Sequence, residues 1–230
     1  MRVGPATDTG AARSVTRRGF QRFEKMTKEN KVTITALFSS PRKASNSTAL
    51  AKEMIRGAVD GGADVATFDL NRMEIRACRA CYACKTGDHV CTIQDDMQEI
   101  YPALIAADAW IMATPIYWFT VSAQLKLLMD RMFALYNQDL LKSHFRNKKI
   151  AAAIAYGCED PIESGCGNAI RTFQDMASYT GAELAGVVHG RGVTAEGRDP
   201  AVDGYLVPGS VAADAELMTK ALQLGRHLLE

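Results

Sequence analysis

Five short apolar runs alternate with stretches of helical periodicity, and that alternation limits the 230-residue chain to very few architectures. Lys31–Phe38 (KVTITALF), Asp64–Leu70 (DVATFDL), Asp108–Thr114 (DAWIMAT), Lys149–Tyr156 (KIAAAIAY) and Glu183–Val188 read as strands. Helices are expected over Thr48–Val59, from Asp95-Asp96 through Tyr101 to Ala106, and over Ser122–Tyr136, Ala169–Tyr179 and Ala212–Leu229. Gly61-Gly62 ends the first helix, and the third carries Leu125, Leu128, Met129 and Met132 on one face. Strands that are apolar on both sides belong to a parallel sheet covered by helices on both faces. The prediction is a flavodoxin-like, doubly wound α/β fold with five parallel strands in the order 2-1-3-4-5. In that order a ligand sits beyond the carboxyl ends of strands one and three.

At 47% hydrophobic content the chain suffices for one core and is short for two full domains. Charge is uneven: Met1–Lys31 holds eight Lys or Arg against three acids, leaving the remainder at 19 basic against 23 acidic residues. No general basic bias points to nucleic acid. Residues 1–30 read as a basic, disordered extension, or as residues upstream of a natural start at Met26, preceding a domain over 31–230. Arg17-Arg18 lacks the apolar stretch that an export signal needs, because Gln21–Lys31 is polar. No run approaches membrane-spanning length, so a cytoplasmic protein without a membrane partner is expected.

The first loop reads Ser39-Ser40-Pro41-Arg42-Lys43-Ala44-Ser45-Asn46-Ser47-Thr48, with hydroxyls, an amide and two cations where a helix begins. A helix N-terminus presents free N–H groups and the positive end of its dipole, which suits an anion. Neither the glycines of a dinucleotide fingerprint nor a GK[ST] ending is present, so the phosphate of flavin mononucleotide fits better than NAD or ATP. Ser40, Arg42, Ser45, Asn46, Ser47 and Thr48 are the candidate phosphate ligands, against the plainer reading that these residues only cap the helix. The loop after strand three lies beside it, so Pro115, Ile116, Tyr117 and Trp118 are candidates to line a flavin ring.

Cys78, Cys81, Cys84 and Cys91 crowd into residues 75–92. The C-x-x-C-x-x-C run begins like a bacterial iron–sulfur motif, two CxxC steps also suit tetrahedral zinc, and free or redox-active thiols are the third use. A reducing cytosol favours metal or redox work over structural disulfides. Cys158 and Cys166 read as ordinary free thiols. His89 lies beside the cysteines while His144, His189 and His227 are scattered, and no Ser/His/Asp set emerges. Asp95-Asp96 reads as helix capping and not as a metal pair.

Together, SPRKxSNS, the cysteine loop followed by Asp95-Asp96-Met97, Thr114-Pro115-Ile116-Tyr117-Trp118 leading to Ser122-Ala123-Gln124-Leu125-Lys126, and Asp130-Arg131 resemble the NADPH-dependent FMN reductase superfamily. Within it the likeness is greatest to iron–sulfur flavoproteins, and it covers about residues 31–190. Ser39 departs from a frequent glycine, and Ser45 and Ser47 from the usual glycine and threonine of the phosphate loop. The resemblance implies Thr114–Phe119 as a second flavin loop, with Thr114 and Phe119 added to its candidates, and Tyr156, Gly157 and Cys158 as a third. It also implies FMN as cofactor, NAD(P)H as cosubstrate, a [4Fe–4S] cluster on the four cysteines, and a homodimer or homotetramer.

The expected function is an FMN-dependent oxidoreductase. It would draw electrons from NAD(P)H or a ferredoxin-like donor and pass them to a small acceptor such as a quinone, another flavin or oxygen. A non-enzymatic flavodoxin-like carrier and a cysteine-based metal or thiol sensor are the alternatives. Hydride transfer to a flavin needs stacking geometry more than a protein acid or base, which agrees with the missing catalytic set.

Overall fold

The computed structural model describes residues 31–86, 90–192 and 210–230. The expected basic extension over residues 1–30 and His89 lie outside them. The core of the fold is a parallel sheet of β1 (Thr33–Phe38), β2 (Asp64–Asp69), β3 (Ala109–Tyr117), β5 (Lys149–Tyr156) and β6 (Glu183–Arg191). Its order is β2-β1-β3-β5-β6, and the two-residue β4 (Thr120–Val121) pairs antiparallel with the end of β3. Leaving that hairpin strand aside, the five parallel strands follow the predicted 2-1-3-4-5 order.

Helices α1 (Asn46–Asp60), α2 (Met97–Ala106), α3 (Ala123–Met132), α4 (Cys166–Thr180) and α5 (Ala215–His227) form the two outer layers. Each strand of the centre alternates its side chains between two cores. Leu37, Met112, Ala152 and Ile154 pack with Ile100 and Leu104 of α2, Leu125 and Leu128 of α3 and Phe173 of α4. Ala36, Ile111, Ala113, Ala151 and Ala153 pack with Leu50 and Met54 of α1 and Ala221 of α5. The second face is floored largely by alanine, which leaves room for helices to lie close to the sheet.

Those two helices also touch through their backbones. A Cβ on Gly57 would collide with the carbonyl of Leu222, and one on Gly225 with the carbonyl of Met54. Both positions therefore require glycine for close approach, not for backbone freedom.

Strand three was expected to end at Thr114, with a loop over Pro115–Phe119. It runs instead to Tyr117 and turns back, with Ile116 opposite Val121 and Tyr117 opposite Thr120. The Thr114 hydroxyl explains the extension, accepting from the Ser122 N–H at 3.0 Å across the base of the hairpin. Pro115 is tolerated there, opposite Ala155 of β5 at the last position of that ladder. The third helix is also shorter than expected, Ala123–Met132 followed by a 3-10 turn over Phe133–Leu135.

Gly57→Ala is expected to destabilise the fold by about 1–3 kcal/mol through overpacking at the α1–α5 crossing, although alanine favours an isolated helix by about 1 kcal/mol. Urea unfolding measures this, and an unchanged or raised midpoint would refute backbone contact at that crossing.

Candidate functional site

Three of the predicted loops leave the same edge of the sheet. Phe38 pairs with Ala113, Ala113 with Ala153 and Pro115 with Ala155, so the segments after β1, β3 and β5 emerge side by side. In the first, Ser45 is the N-cap of α1 in extended conformation, its Oγ accepting from Thr48 N–H at 3.4 Å and lying 2.9 Å from Ser47 Oγ. Ser40, Ser45, Asn46 and Ser47 are buried while Arg42 is exposed, its N–H donating to Ser40 Oγ. Asn46 Oδ1 accepts from the Val211 N–H at 3.2 Å, leaving the amide NH2 as its donor group. That bridge to the segment ahead of α5 has no local sequence signal, since 165 residues separate its ends.

Hydroxyls join the first loop to the second. Ser39 Oγ donates to the Ala113 carbonyl at 2.8 Å, and Ser122 Oγ, the N-cap of α3, donates to Ser39 Oγ at 2.8 Å. Ser39 therefore locks the strand ends together, a role that sequence reading missed. Thr114 is fully buried and its hydroxyl serves the hairpin. Ile116 is half-buried, and Tyr117, Trp118 and Phe119 are exposed, Trp118 by 91%. Trp118 and Phe119 have φ of +50° and +68°, the pattern of a type I′ hairpin turn, which ordinarily selects Asn-Gly. Asn168 Nδ2 of α4 donates to the Phe119 carbonyl at 3.1 Å and secures the tip. Gly165, at φ +84°, lies so close that a Cβ there would strike the Phe119 backbone.

The third loop is less open. Tyr156 is buried with its ring 5.9 Å from that of His189, and burial pushes its hydroxyl up from the ordinary tyrosine value. Gly157 and Cys158 are exposed. Cys166 is fully buried at the start of α4, and burial pushes its thiol up to about 11.

The cysteine segment corrects the expectation of a metal centre. Among the described residues no group of three or more His, Cys, Asp or Glu is placed to hold a metal ion. The four thiols differ in exposure, although Cys84 lies near enough to Cys78 and Cys91 to interact with both electrostatically. Cys78 and Cys81 are exposed, and the backbone N–H of Ala83 holds the Cys81 thiol below its ordinary value. Cys84 is half-buried and pushed up by burial, and Cys91 Sγ accepts from Arg131 Nη2 at 3.5 Å. Among the described residues the cysteines are therefore not gathered as an iron–sulfur cluster or a tetrahedral zinc would require.

What fixes this segment is a buried ion pair. Arg131 Nη1 and Asp95 Oδ2 are 2.5 Å apart, each side chain 1% exposed, and Arg131 Nη1 also donates to the Arg76 carbonyl. Asp95 Oδ2 accepts from Arg76 N–H at 3.0 Å and Asp95 Oδ1 from Met97 N–H at 3.2 Å. Burial opposes ionisation of Asp95, but the guanidinium and the backbone donors outweigh it and hold the carboxyl below its ordinary value. Asp96 Oδ2 accepts from Glu74 N–H at 2.7 Å. The expected capping role is therefore only part of what Asp95-Asp96 does. Sequence reading missed this pair; the signal available was that Arg131 follows Leu128 by three residues, on the apolar face of α3.

A doubly wound sheet of this order, with a hydroxyl-lined helix N-terminus and an aromatic hairpin at its switch point, defines the flavodoxin-like class of α/β proteins. The chain belongs to the NADPH-dependent FMN reductase family, whose pattern it matches over residues 32–179. It is 36% identical over 124 residues to the iron-sulfur flavoprotein of Methanosarcina thermophila, covering 54% of this chain and 62% of that protein. It is 27% identical over 194 residues to an iron-sulfur flavoprotein of Archaeoglobus fulgidus, covering 84% of this chain and 77% of that one. In the first of these relatives the match spans less than two thirds of the relative's own length. The NAD(P)H:quinone oxidoreductase of Methanothermobacter marburgensis shares the fold at a TM-score of 0.62 and 18% identity, over 87% of this chain and 98% of that one. No helix among the described residues is long and apolar enough to cross a membrane.

Arg131→Met is expected to cost about 3–5 kcal/mol by leaving Asp95 charged and buried, and Asp95→Leu in the same chain should restore part of that loss. Because the folded Asp95 pKa is depressed, its contribution is complete above the unfolded value of about 3.9 and is lost as pH falls further, through the folded value. Denaturation of wild type, Arg131→Met and the double variant between pH 7 and pH 2 checks both points; equal acid sensitivity of wild type and the double variant would refute the coupling.

Proposed function

We propose that this protein binds FMN across the three loops and uses it to pass electrons from NAD(P)H to a small acceptor such as a quinone, another flavin or oxygen. The observation that carries the proposal is the α1 N-terminus, lined by buried hydroxyls and one amide, beside a rigid aromatic hairpin on the neighbouring strand. Its donor set suits a phosphate dianion: the first N–H groups of α1, the hydroxyls of Ser40, Ser45, Ser47 and Thr48, the amide of Asn46 and the charge of exposed Arg42. Pro115, Ile116, Tyr117, Trp118 and Phe119, with the backbone about Thr114, would line one side of the ring system, and Tyr156 and Gly157 another.

Bound FMN supplies hydride and electron transfer. The chain's part is to orient. Ser39 and Ser122 fix the distance between the phosphate loop and the hairpin, and Asn168 and Gly165 hold the hairpin tip against α4. The exposed faces of Trp118 and Phe119 offer an apolar surface against which planar reactants can stack. A domain over residues 31–230, a cytoplasmic setting and self-association belong to the same proposal.

Flavin content of the purified protein and its steady-state NAD(P)H oxidation test this reading; flavin without NAD(P)H oxidation would favour a non-enzymatic carrier. Asn46→Asp keeps an acceptor for the Val211 N–H but sets a carboxylate beside the phosphate. It is expected to weaken FMN by about 1–3 kcal/mol, roughly five- to 150-fold in Kd, while leaving riboflavin affinity unchanged. Equal effects on the two flavins would remove Asn46 from the phosphate site.

A further inference from the structure

A cavity of about 720 Å³ opens on the opposite flank of the molecule, between the cysteine segment and the C-terminal ends of α3 and α4. Four aromatic rings wall it: Tyr82, Phe133, Tyr136 and Tyr179. They are arranged as a connected surface. Tyr82 meets Phe133 edge-on at 6.0 Å, Phe133 lies 6.3 Å from Tyr136, and Tyr136 lies 5.1 Å from Tyr179 at a 34° tilt. Tyr82 holds its place with φ at +57°, an unfavourable conformation for a residue with a side chain.

The charges are one-sided. Lys85 and Lys142 line the cavity, and no carboxylate does among the described residues. Lys85 Nζ sits 4.2 Å above the Phe133 ring and donates to the carbonyls of Phe133 and Tyr136. An ammonium has three donors, so one remains for a further acceptor. Lys142 pairs with Asp139, which lies outside the cavity wall, and that pair is exposed.

We propose that this cavity is a second small-molecule site, for a planar aromatic anion of one or two fused rings bearing a carboxylate. Its volume falls in the range of ligand pockets, about 300–1,000 Å³. Aromatic walls accept a flat ring by stacking or edge contact, and Lys85 supplies the countercharge for such an anion. The site is separate from the flavin loops: Phe133 follows the far end of α3, a ten-residue helix whose start adjoins the hairpin. At 1.5 Å per residue the two ends are roughly 15 Å apart.

The test is calorimetric titration of FMN-loaded protein with 2-naphthoate and with neutral 2-naphthamide, while flavin absorbance is followed. The expected result is one-to-one binding of naphthoate with a Kd below about 1 mM, tighter than the amide, with the flavin spectrum unchanged. Tyr179→Ala, at a largely exposed position, should weaken both ligands at least about fivefold, consistent with loss of an aromatic contact. Lys85→Gln keeps a donor for the two carbonyls and should abolish the preference for the acid. Absence of binding at about 10 mM, a constant far weaker than pocket ligands show, would overturn the proposal. So would binding that Tyr179→Ala leaves intact, or binding that alters the flavin spectrum and responds to Trp118→Ala instead.

Discussion

The Arg131–Asp95 pair organises one whole flank of the molecule. A guanidinium and a carboxylate each 1% exposed are costly to desolvate, and their attraction offsets that cost only if the remaining donors and acceptors are satisfied nearby. The backbone carbonyl and N–H of Arg76 and the N–H of Met97 meet most of that demand, although Arg131 Nε is buried without a partner among the described residues. The chain entering the cysteine segment, the start of α2 and the last turn of α3 are thereby tied to one point. Tyr101 of α2 adds its hydroxyl to the Arg131 carbonyl at 3.0 Å. The aromatic cavity exists because the segment pinned there must cross the end of α3.

On the opposite flank hydroxyls perform the equivalent task without charge. Ser122 caps α3, donates to Ser39 and through it reaches the Ala113 carbonyl, so one short chain of hydrogen bonds spans two strands and a helix. A glycine at position 39 would lack that link. Ser39 therefore stiffens the junction of the first two loops in this chain, and the buried network is satisfied at its Ser39 and Ser122 members.

The sheet order was legible because five apolar runs separated by amphipathic helices leave few alternatives, and the strand limits shifted by only a few residues. The hairpin was not, because its turn uses Trp118 and Phe119 where positive φ usually selects Asn-Gly; the signal for it lies in Thr114, Gly165 and Asn168, distant in sequence. The phosphate loop was legible as a cluster of hydroxyls at a helix start, whereas the Asn46 bridge to Val211 depends on the tertiary fold. The cysteine spacing suggested convergence on one centre. Spacing along a loop does not fix where side chains point, and with Ala80 and Tyr82 at positive φ the described loop leaves two thiols exposed and two half-buried.

These two flanks explain how one small sheet can present two dissimilar surfaces. The edge at the carboxyl ends of the strands has helix N-termini and hydroxyls, a setting that stabilises negative charge on phosphate through dipoles and donors. The α3–α4 flank has helix C-termini, whose carbonyls attract cations, and Lys85 is drawn onto the carbonyls of Phe133 and Tyr136 after α3, the first of which also accepts from the Tyr136 N–H. The carbonyls recruit the cation, the cation packs on Phe133, and one ammonium donor remains beyond those two bonds. Anion selectivity at that end of the molecule is thus a consequence of where the helix stops. The sequence feature that matters for it is the position of Lys85 in the cysteine segment, more than the cysteines beside it.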